Sequence, residues 1–250
     1  MALLKSGNPV LSEKSFSDQL IELQGERMTV RGTLNKFGLL FVMMLAGASF
    51  TWSLFYQGAN VMPWAIGAAI GGFVLALVMT FKKEWSPYLA LGYALLEGLF
   101  LGAISAVFNA AFAAKYPGLV MQAVLLTLGT AAAMFLLYQF RIIQATPTFK
   151  KVIIIATAGI FVFYLVSLVL RLFGVQMPYL HDSSAIGIGI SLFIVAIAAL
   201  NLILDFDRIE QGAAMGAPKY FEWFSAFGLL VTLVWLYMEM LRLLSKLARR

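Results

Sequence analysis

The chain has 250 residues, of which 62% are apolar and 12% charged, with a net charge of +6 and a mean hydropathy of +0.89. An ordinary soluble domain is about 45–50% apolar and about 25% charged. The polar surface here is too small to coat a water-soluble globule, which excludes a soluble enzyme, a disordered regulator and a disulfide-stapled secreted domain. The sequence contains no cysteine and one histidine, His181, so disulfides, thiolate metal sites, iron–sulfur clusters and a bis-histidine haem are excluded. Basic residues in a chain this apolar belong to loops and lipid headgroups. No basic patch with interleaved aromatics points to nucleic acid.

The chain opens on a polar stretch over 1–36, rich in Lys, Arg, Asp and Glu, which reads as an arm, partly helical near 15–30. It lacks the apolar core and small-residue cleavage site of a signal peptide. Crossing about 30 Å of hydrocarbon takes roughly 20 apolar residues in a helix. Seven stretches meet that need, over 37–56, 62–81, 87–108, 119–140, 152–173, 186–207 and 220–244. Lys82 and Lys83 stop the second, Pro87 starts the third, and Pro117-Gly118 precedes the fourth. Long unbroken apolar runs exclude barrel strands, which alternate. The expected fold is therefore all-α, a polytopic membrane bundle of seven helices, with an arm over 1–36, a membrane domain over 37–244 and a basic tail over 245–250. Lys and Arg favour the inner loops of membrane proteins, and the early loops orient the arm inward. The basic tail runs against that rule if all seven segments cross. Two GxxxG pairs, Gly67 with Gly71 and Gly98 with Gly102, fit close helix packing within one bundle or a dimer face.

The informative residues are acids inside apolar segments, because each ionisable group in hydrocarbon costs at least about 2.5–3.5 kcal/mol. Glu97 lies ten residues beyond Pro87, about 15 Å along the helix and near the bilayer midplane. It reads either as a proton or cation site or as a neutral, hydrogen-bonded side chain. Asp205 and Asp207 end span six; two residues apart on a helix they face different ways and form no same-face pair. Asp205 is expected to face the interior, or else to pair with Arg208. Glu222 opens span seven at a depth similar to both aspartates. It fits either a shared proton with one of them or an acid favoured by the helix N-terminus. Hard cations take carboxylate oxygens, so Asp205 with Glu222 is a candidate calcium site. Glu239 and Arg242, three apart, read as a structural ion pair. Span seven carries lysine only at its ends, Lys219 and Lys246, which excludes a retinal protein. No nucleophile, zinc motif or suitable aspartate pair supports an enzyme, and no bound cofactor is expected.

Three stretches resemble the Bax inhibitor-1 family, in its bacterial branch: LLEGLFLGAIS at 95–105, LDFDRIEQG at 204–212, and EWFSAFG at 222–228 followed by WLYMEMLR at 235–242. The resemblance spans roughly 30–245. It implies a seven-helix bundle with the last helix central, and a pH-sensitive calcium leak channel in a bacterial plasma membrane with the arm cytoplasmic. In that picture Asp205 is the span-six aspartate and Glu97 the span-three glutamate. The family's span-seven aspartate positions fall on Gly228 and Thr232, which cannot ionise, and Glu222 is the expected substitute. Expected partners are the lipid bilayer and calcium or protons. The alternative function is a regulator that binds a membrane-anchored quality-control protease, with the arm as its handle.

Overall fold

The computed structural model describes residues 27–174 and 183–250, and the described residues form seven long helices. They are α1 (Val30–Tyr56), α2 (Met62–Phe81), α3 (Ser86–Phe112), α4 (Leu119–Gln139), α5 (Pro147–Leu172), α6 (Ala185–Ala214) and α7 (Phe221–Ala248), with a 3-10 turn (Lys83–Trp85) before α3. All seven are long and apolar enough to span a membrane. The helix starts carry recognisable signals. Thr29, Thr146 and Ser184 cap α1, α5 and α6 with side-chain oxygens that accept from Gly32, Phe149 and Gly187, satisfying amides that would otherwise lack partners. Prolines sit in the first turns of α2, α3 and α5, where a missing N–H costs nothing. Helix α1 starts at Val30 rather than near residue 37. The arm over 1–26, and with it most of the stretch expected to be helical, lies outside the described residues, as does His181.

Helix α7 is the centre of the bundle. It packs against α6, α1, α4 and α3, and Leu230, Leu236 and Leu241 on it are fully buried. The other two helices are outer members: α2 rests mainly on α3, and α5 on α6. Ile153 and Ile160 of α5 pack with Ile194, Ile197 and Leu204 of α6 in a small separate cluster. The opposite face of α5 exposes Ile155, Phe161 and Val162, as a lipid-facing helix must. Exposed apolar surface on this scale would be a liability in water and is the natural coat of a helix in hydrocarbon.

The two GxxxG pairs behave differently. A Cβ on Gly98 would lie 2.0 Å from the Met44 carbonyl oxygen, and one on Gly102 would lie 2.2 Å from that of Ala48. These glycines let α3 and α1 approach backbone to backbone, and Thr51 bonds across the seam to the Leu99 carbonyl at 3.0 Å. A Cβ on Gly67 would meet nothing within 4 Å, and one on Gly71 only the tip of Leu96. Close packing within one bundle therefore accounts for the pair on α3.

Helices α1 and α7 begin at the same end, joined by the Met28 amide donating to the Ala217 carbonyl at 2.7 Å. Helix α7 then runs the full length of the bundle. At its far end Lys246 is buried, donating to the Gly187 carbonyl at 2.9 Å and the Ser191 hydroxyl at 2.8 Å near the start of α6. The C-terminus thus lies at the opposite end of the bundle from the start of α1.

Candidate functional site: acidic side chains around the central helix

Asp205 sits about two-thirds of the way along α6, on the face that meets α7. Its side chain is 13% exposed, and Arg208 stands 3.8 Å from its Oδ1 while itself 66% exposed. A pair that long, with its cation in solvent, is at the weak limit of an ion pair. Oδ2 of Asp205 is buried and has no hydrogen-bond partner. Across the interface, Thr232 of α7 stands beside the Asp205 carboxyl. The Thr232 hydroxyl also reaches back to the Gly228 carbonyl at 3.3 Å. The two residues on which the family's span-seven aspartate positions fall, Gly228 and Thr232, are thus coupled to each other. One of them faces Asp205.

Asp207 points elsewhere, as its two-residue offset requires. It pairs with Lys150 of α5 at 2.5 Å and accepts from Gln211 at 2.7 Å. Glu210, on the same stripe, accepts from the Tyr138 hydroxyl and pairs with Arg141 at 2.6 Å. Arg141 holds φ = 56°, a left-handed conformation rare for a residue with a side chain. These contacts tie the α4–α5 connection to the end of α6 and leave Asp207 with full ionic company.

Glu222 is completely buried and fully supplied with donors. Its Oε1 accepts from the Thr29 amide and hydroxyl at 2.9 Å each and from Lys219 at 2.8 Å. Its Oε2 pairs with Lys36. Gly32 packs directly on the carboxylate: a Cβ there would lie 2.1 Å from Oε1. The start of α1 is thereby clasped to the start of α7. Glu222 lies ten residues before Thr232, about 15 Å along the helix. The expected shared proton between Asp205 and Glu222 is accordingly not built, and neither is the two-carboxylate calcium site. Among the described residues no group of three or more His, Cys, Asp or Glu converges on a metal position. The expected similar depth fails because α6 runs on to Ala214 rather than ending near 207, which sets Asp205 roughly 14 Å inside the end of the bundle where Glu222 lies.

Glu97 of α3 is half-buried, turned toward α2, where its Oε2 would be 3.6 Å from a Cβ on Gly72. The phenol of Tyr93, one turn earlier, stands beside its carboxyl. Tyr93 in turn meets Phe227 of α7 edge-on, with ring centroids 4.8 Å apart. Glu97 thus reaches α7 only by way of Tyr93, whereas Asp205 faces it directly. Glu239 is buried, accepts from Arg242 at 2.9 Å on both oxygens and from the Tyr164 hydroxyl of α5 at 2.8 Å, with the Arg242 guanidinium 5.0 Å from the Tyr164 ring centre. It is a structural ion pair with an aromatic lid.

The sequence reading missed Tyr164, Lys36 and Thr29, whose partners lie 75, 186 and 193 residues away in the chain. Lys219 and Tyr93 were legible, being three and four residues from the acids they serve.

Seven apolar helices, the last of them buried among the others and faced by an aspartate of α6, agree with a sequence comparison. The Bax inhibitor 1 like family model matches residues 8–249. The chain belongs to the Bax inhibitor 1 like family. Comparison with curated proteins gives no match, and comparison with solved structures gives none. Within this Bax inhibitor 1 like protein, the structure separates the intramembrane acids into three satisfied ones, Asp207, Glu222 and Glu239, and one under-satisfied one, Asp205. Glu97, with a single phenol for company, stands between the two groups.

Proposed function

We propose that this Bax-inhibitor-like membrane protein is a passive cation leak pathway, modulated by pH, with calcium as the expected cargo. The supporting observation is the Asp205 carboxyl, buried between α6 and α7 with one oxygen lacking any partner. A buried unsatisfied acceptor costs about 1–3 kcal/mol, and more when charged. A proton on the carboxyl removes the charge and supplies a donor toward Thr232. A cation passing close by neutralises the charge instead. Either event relieves the same strain, so the α6–α7 contact responds to both pH and cations. Glu97 is the expected second acid along the route, since its carboxyl too is held inside the bundle with no lysine or arginine in hydrogen-bonding contact among the described residues. With the arm end of the bundle cytoplasmic, Asp205 lies toward the cytoplasmic side of a bacterial plasma membrane.

The test is calcium uptake into liposomes holding the purified full chain and an entrapped indicator, at acidic and neutral pH. Asp205→Asn, which fixes a neutral amide donor, is expected to remove the pH dependence of the flux. An Asp205→Asn protein with the native pH profile would rule out this mechanism.

A second reading, a regulator that binds a membrane-anchored protease, is supported by the way the chain enters the bundle. Met28 and Thr29 bond directly to the start of α7, so a partner pulling on the arm pulls on the central helix. Deleting residues 1–26 is expected to abolish such an effect on protease activity in cells while leaving calcium flux intact.

A further inference from the structure

A second cavity-forming region lies on the other side of α7 and contains no acid. Helices α1 and α4 both pack on α7 but make no comparable contact with each other. The gap between them opens into a cavity of about 310 Å³, walled by α1, α3, α4 and α7. No charged side chain lines it among the described residues. Its floor is formed by Leu233, Val234 and Tyr237 of α7, all buried. Its rim carries Leu45 of α1 and Leu128 of α4, which are 47% and 40% exposed and belong to the lipid-facing surface.

The hydroxyl groups in the cavity are already occupied. Ser105 and Tyr237 bond to each other at 2.6 Å. Thr127 donates to the Ala123 carbonyl at 2.7 Å, and Ser49 to that of Leu45 at 2.8 Å. Beyond hydroxyl lone pairs and the indole of Trp52, a polar ligand would find little to bond, and water needs two to four partners. What remains is an apolar slot continuous with the bilayer surface, of a size suited to small-molecule sites.

From this we infer that the α1–α4 seam is a binding site for one hydrocarbon chain of a bilayer lipid, inserted between the helices until it touches the central helix. The site is independent of ion conduction. Thr232 and Val234 are two residues apart, about 200° around α7. The lipid chain therefore bears on α7 from the side opposite Asp205.

The experiment uses the full chain in phosphatidylcholine vesicles containing a phosphatidylcholine with a diazirine near the end of one acyl chain. After photolysis, labelled peptides are mapped by mass spectrometry. Annular lipid labels outer helices such as α5, but only a chain inside the seam reaches Leu233, Val234 and Tyr237. Label on that segment of α7 is the expected result. Val124→Phe, which fills the cavity, is expected to lower the α7 label about tenfold while leaving the α5 label unchanged, the effect of losing roughly two methylenes of burial. Leu128→Trp, at the rim, serves the same purpose should the first variant fail to fold, with native thermal unfolding in detergent as the check. An unlabelled α7 in the native protein, or an α7 label unchanged in a folded filled variant, would overturn the site. Covalent dimers bridged through α1 and α4, with α7 unlabelled, would assign the seam to a second copy and overturn it equally.

Discussion

Glu222 and Asp205 are both carboxylates on the helix pair α6–α7, yet they are served in opposite ways. Glu222 takes four donors on two oxygens, from Thr29 twice, Lys219 and Lys36. Asp205 has a hydroxyl beside it, a distant arginine and an oxygen left bare. The difference shows that burial alone does not mark a functional acid in a membrane protein. An acid surrounded by donors is a fastener, whereas an acid deprived of them stores free energy that a proton or a cation can release.

The largest effect that would test this contrast is loss of Glu222. Glu222→Ala strands two lysines and frees Thr29 at the base of α1. Removing one partner of a buried ion pair costs about 3–5 kcal/mol. The expected result is a loss of that order in unfolding titrations by sodium dodecyl sulfate in mixed micelles. A loss near zero would mean that water replaces the clasp and that Glu222 is no fastener. Gly32→Ala is expected to destabilise in the same direction, since its methyl group would occupy the carboxylate position.

Thr232→Asp comes next and sharpens the other side of the contrast. It sets a second carboxyl against Asp205. Two carboxylates in contact share a proton in acid and repel when both ionise. The variant is expected to be most stable in acid and to lose about 1–3 kcal/mol as pH rises and the shared proton leaves. Unfolding midpoints measured across pH check this, and a flat profile would show that the residues at 205 and 232 do not meet.

Asp205→Asn is expected to be neutral or to stabilise by about 1 kcal/mol, because an amide no longer carries a buried charge and brings its own donors. Destabilisation of several kcal/mol would place Asp205 with the fasteners instead. Smallest is Arg208→Ala, expected within about 0.5 kcal/mol, since an exposed, long pair contributes little.

Much of this molecule is legible in its sequence. The seven apolar runs, their prolines and their capping residues mark most helix ends to within a few residues, apart from the longer start of α1 and the longer end of α6. The α1–α3 packing is foreshadowed by Gly98 and Gly102, which only need to be small. The Glu239–Arg242 pair follows from helical spacing. What escaped was everything that depends on which faces meet. Asp205 and Glu222 look like neighbours when span six is ended at 207, but α6 continues to Ala214, and the added turns carry Asp205 away from the end where Glu222 sits. Thr232, dismissed in the sequence because it cannot ionise, turns out to be the residue that faces Asp205.

Hydrophobic length and periodicity therefore determined by themselves that the chain is a seven-helix membrane protein, because the bilayer requires long apolar helices whatever their neighbours. The rotation of each helix about its own axis was decided only by tertiary packing, through glycine seams and the burial of α7. That rotation separates the acids that hold the fold together from the one left free to respond.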